Sequence, residues 1–99
     1  MRTMIRITIP VENGNQAIQD GSIAQIVGGA LERLKPEAAY FTADGGKRTA
    51  YLFVNLTDSS DIPSIAEPFF IGLNAAVELL PVMNADELKA GLEKFAKQH

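Results

Sequence analysis

Apolar and polar residues alternate near the start of the chain, from Met4 to Val11. Successive side chains of a strand point to opposite faces, so this alternation predicts a strand with one buried face. One face would carry Ile5, Ile7, Ile9 and Val11, and the other Met4, Arg6, Thr8 and Pro10.

Three further strands are predicted along the chain. Ala38 to Asp44 and Arg48 to Thr57 are rich in aromatic and β-branched residues, and Asp44-Gly45-Gly46 between them favours a tight hairpin turn. Ala75 to Met83 has the composition of a fourth strand. The pattern leaves the registers of the second and fourth strands open.

A helical pattern separates the first two strands, because apolar residues recur at three- and four-residue spacing from Ile23 to Leu34. Asn13 or Asn15 would cap its start. Pro36 would end it, since the residue before a proline is pushed out of the helical region. Because glycine weakens a helix, Gly21, Gly28 and Gly29 predict either a break near Gly21 or close backbone packing.

Two more helices are predicted. Before the first, Ser59-Ser60-Asp61 offers N-caps, Pro63 suits the first turn, and Pro68 is expected to bend or shorten the helix. The last begins with Asn84 and Glu87 at capping-box spacing. Its apolar residues are Leu88, Leu92 and Phe95.

The resulting order, β-α-β-β-α-β plus a C-terminal helix, is that of an α+β protein and favours a ferredoxin-like sandwich. The two halves interlock most simply as a four-stranded antiparallel sheet of order 4-1-3-2, and right-handed crossovers place both main helices on one face. No linker, repeat or low-complexity segment interrupts the 99 residues, so residues 1–99 are expected to form a single domain.

The sheet face opposite to the helices is predicted to lack a cover. The aliphatic row of the third strand suits the helices: Ala50, Leu52, Val54 and Leu56. The alternate row contains aromatic residues, and an exposed apolar patch usually marks an interface or a groove, so we expect a homodimer. Candidate ligand-binding or interface residues on this face are Arg6, Tyr40, Tyr51, Phe53, Asn55 and Glu78, with Thr8, Thr42 and Leu80 beside them.

With this element order and this mixed open face, residues 4 to 98 resemble the dimeric α-β barrel superfamily, small bacterial proteins whose ferredoxin-like subunits pack sheet against sheet. The stretches Lys-Pro-Glu-Ala-Ala-Tyr-Phe (35–41) and Ala-Glu-Pro-Phe-Phe (66–70) look like those of uncharacterised bacterial proteins of this kind. The resemblance implies a dimer and no particular activity. Members that degrade haem or oxidise quinol-like substrates use Asn, Trp and His; this chain has no Trp, and its one histidine, His99, lies at a sequence end where a catalytic group is not expected.

Composition narrows the classes of partner. The formal charge of -3, without a basic run, argues against nucleic acid. The strand from Arg48 to Val54 faintly resembles that of RNA-recognition modules, but the expected glycine and a stacking aromatic on the first strand are missing. The absence of cysteine excludes thiolate chemistry and Cys-based metal sites and fits the cytoplasm. Neither a secretory segment nor a membrane span is expected, and no metal or cofactor is predicted.

Two classes of function stay open. Arg6 and Glu78 would lie on neighbouring strands. They could form a site in which the carboxylate, with its cationic partner, orients a polar ligand or acts as a general base. The favoured interpretation is that they form an ion pair within or across an interface. Tyr40 and Tyr51 would donate to a ligand or only pack. We therefore expect a homodimer with an interaction or structural role; the alternative is a cofactor-free enzyme or small-molecule binder, with its pocket at the dimer seam or between helices and sheet.

Overall fold

A computed structural model describes residues 1–99 as an α+β protein with four strands and four α-helices. The strands are β1 (Arg2–Ile9), β2 (Ala38–Asp44), β3 (Lys47–Asn55) and β4 (Ala76–Pro81). The helices are α1 (Val11–Asp20), α2 (Ser22–Leu34), α3 (Ile62–Leu73) and α4 (Ala85–Gln98), and a 3-10 turn at Ser59–Asp61 precedes α3.

The four strands form one open sheet in the order β2-β3-β1-β4. Counted from the β4 edge, this order is 4-1-3-2. Every neighbouring pair is antiparallel. Ile5 lies opposite Leu52 of β3 and Leu79 of β4, which places all three side chains on the same face. The registers of β2 and β4, which the sequence pattern left open, are now defined.

The β2–β3 hairpin turns through two glycines, as its sequence predicts. Gly45 and Gly46 have φ angles of 61° and 77°, in the left-handed region that disfavours side chains. Two consecutive positive φ values are typical of a type I′ turn, whose twist matches that of the strands it joins. This turn pairs Asp44 with Lys47 and so determines the register of β2.

The first helical segment consists of two helices, as the glycine at position 21 predicts. Gly21 has φ 79° and separates α1 from α2. The predicted start was wrong: α1 begins at Val11, so Val11 is exposed and not on the strand, while Asn13 and Asn15 lie inside the helix and cap nothing. The reason is Pro10, which cannot continue strand pairing and has a φ of -57° that suits a helix start.

Other boundaries are close to prediction. Pro63 stands in the first turn of α3. Pro68 lies inside this helix, which nevertheless continues for twelve residues. The capping box of α4 is present: the Asn84 side chain accepts from the Glu87 N–H at 2.8 Å, and the Glu87 carboxylate accepts from the Asn84 N–H at 2.9 Å. The third and fourth strands are shorter than predicted and end at Asn55 and Pro81.

The core lies between one face of the sheet and helices α1 to α3. The sheet contributes the inward rows of β1 and β3, and the helices contribute Ala17, Ala30, Ile65, Phe69 and Leu73. Helix α4 contributes no buried residue. The chain is consequently elongated, 55 Å in its longest dimension, with a radius of gyration of 15.9 Å. A compact chain of this length would have about 13 Å.

We expect Ile7→Ala to lower the free energy of unfolding by about 2–5 kcal/mol, because Ile7 is 1% exposed and its removal leaves a cavity in the core. Ile71→Ala is the matched control: Ile71 is 83% exposed on α3, and its loss should change stability by no more than about 0.5 kcal/mol. Urea unfolding at one fixed protein concentration measures both. Equal losses for the two variants would contradict this placement of the core.

Candidate functional site on the open sheet face

The sheet face turned away from the helices, called here the open face, carries three transverse rows of side chains. Strand register defines them from β4 to β2. The first row is small and polar, the second carries charge and two phenols, and the third is apolar. Their members are Ala76, Thr8, Thr49 and Thr42; Glu78, Arg6, Tyr51 and Tyr40; and Leu80, Met4, Phe53 and Ala38.

All six residues singled out from the sequence lie on this face. Arg6 has Glu78 on one side and Tyr51 on the other, and Tyr51 is followed by Tyr40. The structure therefore brings four of the six into one row.

The other two candidates lie outside this row. Phe53 lies in the apolar row and meets the Tyr40 ring edge to face, with 6.4 Å between ring centroids. Asn55 lies apart, at the end of β3, where its side-chain oxygen accepts from the Met1 amino group at 2.7 Å.

Four side chains form a polar cluster in the middle of the open face: Arg6, Asp44, Tyr51 and Glu78. The Tyr51 hydroxyl donates to Asp44 Oδ2 at 2.5 Å, and Arg6 Nη2 donates to the same oxygen at 3.2 Å. Arg6 Nη1 lies 3.9 Å from Glu78 Oε1. The arginine is thus shared between two carboxylates on the same face, one from each edge strand of the sheet.

Asp44 is the member of this cluster that sequence reasoning missed. The sequence pattern places it at the end of the second strand and in the hairpin turn, where aspartate is common, and gives it no part in the site. The turn itself contained the missing signal. A two-residue turn at Gly45-Gly46 pairs Asp44 with Lys47. Side chains of a strand alternate between faces, so Lys47 lies on the same face as Tyr51, four residues further along β3. Asp44 then faces the same side as Tyr51.

Hydrogen bonding within the cluster shifts the pKa of Tyr51. The bond to Asp44 raises the pKa of Tyr51 above its ordinary value; desolvation adds to this shift, and the Arg6 charge opposes it. Tyr51 is therefore a neutral donor throughout the physiological range. The Asp44 and Glu78 side chains remain 41% and 53% exposed.

One buried donor of the cluster has no acceptor. Arg6 Nε is shielded from solvent but makes no hydrogen bond within the chain, while the guanidinium lies 5.9 Å from the centroid of the Tyr51 ring. An unsatisfied buried N–H of this kind costs about 1–3 kcal/mol. The open face therefore has an unmet hydrogen-bonding requirement at its centre.

Helix α4 is the second surface without a partner. Leu88, Leu92 and Phe95 lie at four- and three-residue spacing on one side of the helix, and each remains about half exposed. Arg2 of β1 anchors only the base of α4, through an ion pair with Glu87. The same arginine also pairs with Glu37, just before β2, at 2.6 Å. At the far end, the His99 ring packs on Phe95, with 4.4 Å between centroids, and stays remote from the polar cluster.

Behind the sheet, on the helix side, lies a separate apolar cavity of ≈ 220 Å³. Ile7 and Ile9 of β1 line it together with Val27 of α2, and Arg48 is its one charged lining residue.

Comparison with known proteins assigns nothing to these features. No family model, curated protein or solved structure matches the chain. The structure contains no group of three or more His, Cys, Asp or Glu side chains placed to hold a metal ion. None of its helices combines the length and the hydropathy needed to cross a membrane.

We expect Asp44→Asn to lower the pKa of Tyr51, because it removes both the negative charge and the strong acceptor that favour the protonated phenol. The chain has two tyrosines, so in a Tyr40→Phe background the ultraviolet titration of phenolate reports Tyr51 alone. Because the folded pKa is raised, the stabilisation from this bond is present below the ordinary tyrosine pKa and is lost as pH rises through the raised one.

Glu67→Gln is the control for this titration, since Glu67 is an exposed carboxylate of α3, away from the open face. It should leave the Tyr51 titration unchanged. An identical curve for Asp44→Asn would show that the hydrogen bond does not form in solution.

Proposed function

We propose that the protein is a ferredoxin-like subunit of a homodimer related to the dimeric α-β barrel proteins, and that this dimer is its functional unit in interactions with other molecules. The observation that carries the proposal is the presence, on one chain, of two unpartnered surfaces that carry apolar residues: the open face, with its apolar row, and the exposed side of α4. A second copy is the one partner that supplies a cover for both. Each copy would donate one helix and receive one about a twofold axis.

The surface area supports this proposal. The chain exposes 6567 Å². A compact monomer of 10.7 kDa would expose about 5,500 Å². The excess of roughly 1,000 Å² is comparable to the roughly 800 Å² that each partner buries in a standard protein interface.

Helix stability supports the assignment of α4 to the interface. An isolated helix of fourteen residues is marginal in water, and most helical stability comes from packing an amphipathic face. The capping box and the Arg2–Glu87 ion pair hold the base of α4 but bury none of its side chains. Its apolar side therefore requires a surface from outside the subunit.

The polar cluster is suited to the middle of such an interface. The Arg6 and Glu78 side chains remain 35% and 53% exposed. A twofold axis near Arg6 would bring the partner copy's carboxylates toward the exposed part of this guanidinium. Pairing across the interface would fix the relative orientation of the two sheets, which is the role that interfacial charges serve best.

An interaction role suits the chemistry better than catalysis. The cluster holds a neutral phenol, a guanidinium shared by two carboxylates, and no desolvated base. The dimer would present a structural unit with no reacting group at its seam. The lack of cysteine suits a cytoplasmic setting, which we propose as its location.

We expect the protein to sediment as a dimer at micromolar concentration, and Leu92→Glu on α4 and Leu80→Glu on the open face each to weaken dimerisation at least about 100-fold. An unpaired charge buried in an interface costs several kcal/mol, and every 1.4 kcal/mol is tenfold in affinity. Analytical ultracentrifugation over a dilution series measures the dissociation constants.

Ile71→Glu is the matched control, because it introduces the same charge at an exposed aliphatic residue of α3, on the helix side of the sheet. It should sediment like the unaltered protein. A monomer at micromolar concentration for the unaltered chain would refute the proposal. If Leu80→Glu disrupts the dimer and Leu92→Glu does not, then α4 is not part of the interface.

A further inference from the structure

The apolar cavity behind the sheet exists because small side chains meet there. Ala30 of α2 and Ala50 of β3 are both buried and both line it, whereas a leucine at either position would fill part of the space. The cavity is not sealed: Phe41 of the edge strand β2 lines it from the helix side and is exposed. A small molecule therefore has a path from solvent beside β2.

The volume limits what the cavity can hold. A dry cavity of about 150 Å³ lined by aliphatic and aromatic side chains binds benzene. In proportion, ≈ 220 Å³ holds roughly nine non-hydrogen atoms. Nine of its twelve lining residues are hydrophobic. The occupant must therefore be small and mostly apolar.

Charge at the rim specifies the polar end of this occupant. Arg48 is half-buried and is the one ionisable residue of the lining. Of the five N–H groups of its guanidinium, one donates to Asn15 Oδ1 at 3.2 Å, and no carboxylate lies within ion-pair distance. A guanidinium without a counterion, beside an apolar space, attracts an anion that is otherwise apolar.

The position of Arg48 depends on a glycine. A Cβ atom at position 14 of α1 would lie 2.6 Å from Arg48 Nη1 and 3.3 Å from its Cδ, so a larger residue there would displace the guanidinium from its place against this helix. Glycine inside a helix costs about 1 kcal/mol relative to alanine. Helix α1 thus contains a locally unfavourable residue at the point where it lets Arg48 lie beside the cavity.

We propose that this cavity binds a small apolar monocarboxylate, with its hydrocarbon part among Ile7, Ile9 and Val27 and its carboxylate on the guanidinium of Arg48. The site lies within one subunit and on the side of the sheet opposite to the open face. It therefore does not depend on the dimer proposed above.

Isothermal titration calorimetry of the full chain with benzoate, benzyl alcohol and benzylamine tests this assignment, because the three probes share a ring and differ in charge. Benzoate should bind about 10- to 100-fold more tightly than benzyl alcohol, as expected for a charge-assisted pair, and benzylamine should bind most weakly. Arg48→Gln should reduce the affinity for benzoate to that for benzyl alcohol, and it should leave the affinity for benzyl alcohol unchanged. Val27→Phe, which fills the cavity, should abolish binding of both.

Arg33→Gln is the charge-matched control, since Arg33 is an exposed arginine of α2 that does not line this cavity. It should bind benzoate like the unaltered chain. Equal affinities for benzoate and benzyl alcohol, benzoate affinity that survives Arg48→Gln, or no binding of either probe would each overturn the proposal.

Two further measurements keep the outcome clear if Val27→Phe fails to fold. Methyl NMR shifts caused by benzoate should appear at Ile7 and Val27, and shifts confined to Met4 on the open face would refute the site. Sedimentation of the same samples reports the dimer separately, so failure of ligand binding and failure of dimerisation are distinguishable.

Discussion

One-sided burial of the sheet is the constraint on which the rest of the structure depends. Strand β1 lies between β3 and β4, and its isoleucines at positions 5, 7 and 9 are all buried under the helices. All the packed helices, α1 to α3, lie on that side. Every alternate residue of β1 must then face the other side, because the period of a strand is two. The open face, its polar cluster and its need for a cover all follow from this alternation.

The polar cluster shows how a sheet can gather residues that are distant in sequence. Arg6, Asp44 and Glu78 come from three different strands, yet strand register alone brings Glu78 beside Arg6. Asp44 arrives from the hairpin end of β2 and accepts hydrogen bonds from both Tyr51 and Arg6. Held in this way, Arg6 keeps its guanidinium between the two edge strands of the sheet.

Local patterns predicted those parts of the fold that local physics determines. The alternation of β1, the two-glycine turn and the capping box at Asn84 were all readable, since each depends on neighbouring residues. The start of α1 was missed because Asn13 is a good cap in isolation, whereas Pro10 ends the strand earlier.

Nonlocal features were not readable in the same way. Periodicity shows that α4 has an apolar side but not that this side lacks a surface within its own chain. The cavity depends on Ala30 and Ala50 lying near each other, which needs tertiary packing, and Asp44 joins the cluster only once the register of β2 is known.

The edge strand β2 has a consequence for colloidal behaviour. Tyr40 and Phe41 are 63% and 55% exposed on opposite faces, so a second copy packed on the open face would cover only one of them. The outer backbone edge of β2 has no neighbouring strand, and residues 38–43 contain neither charge nor proline. Such a segment is a template for edge-to-edge pairing and aggregation.

Glu37 and Asp44 flank it on either side, and their charges act as gatekeepers. These two carboxylates, which also pair with Arg2 and with Arg6, therefore oppose such pairing at both ends of the segment.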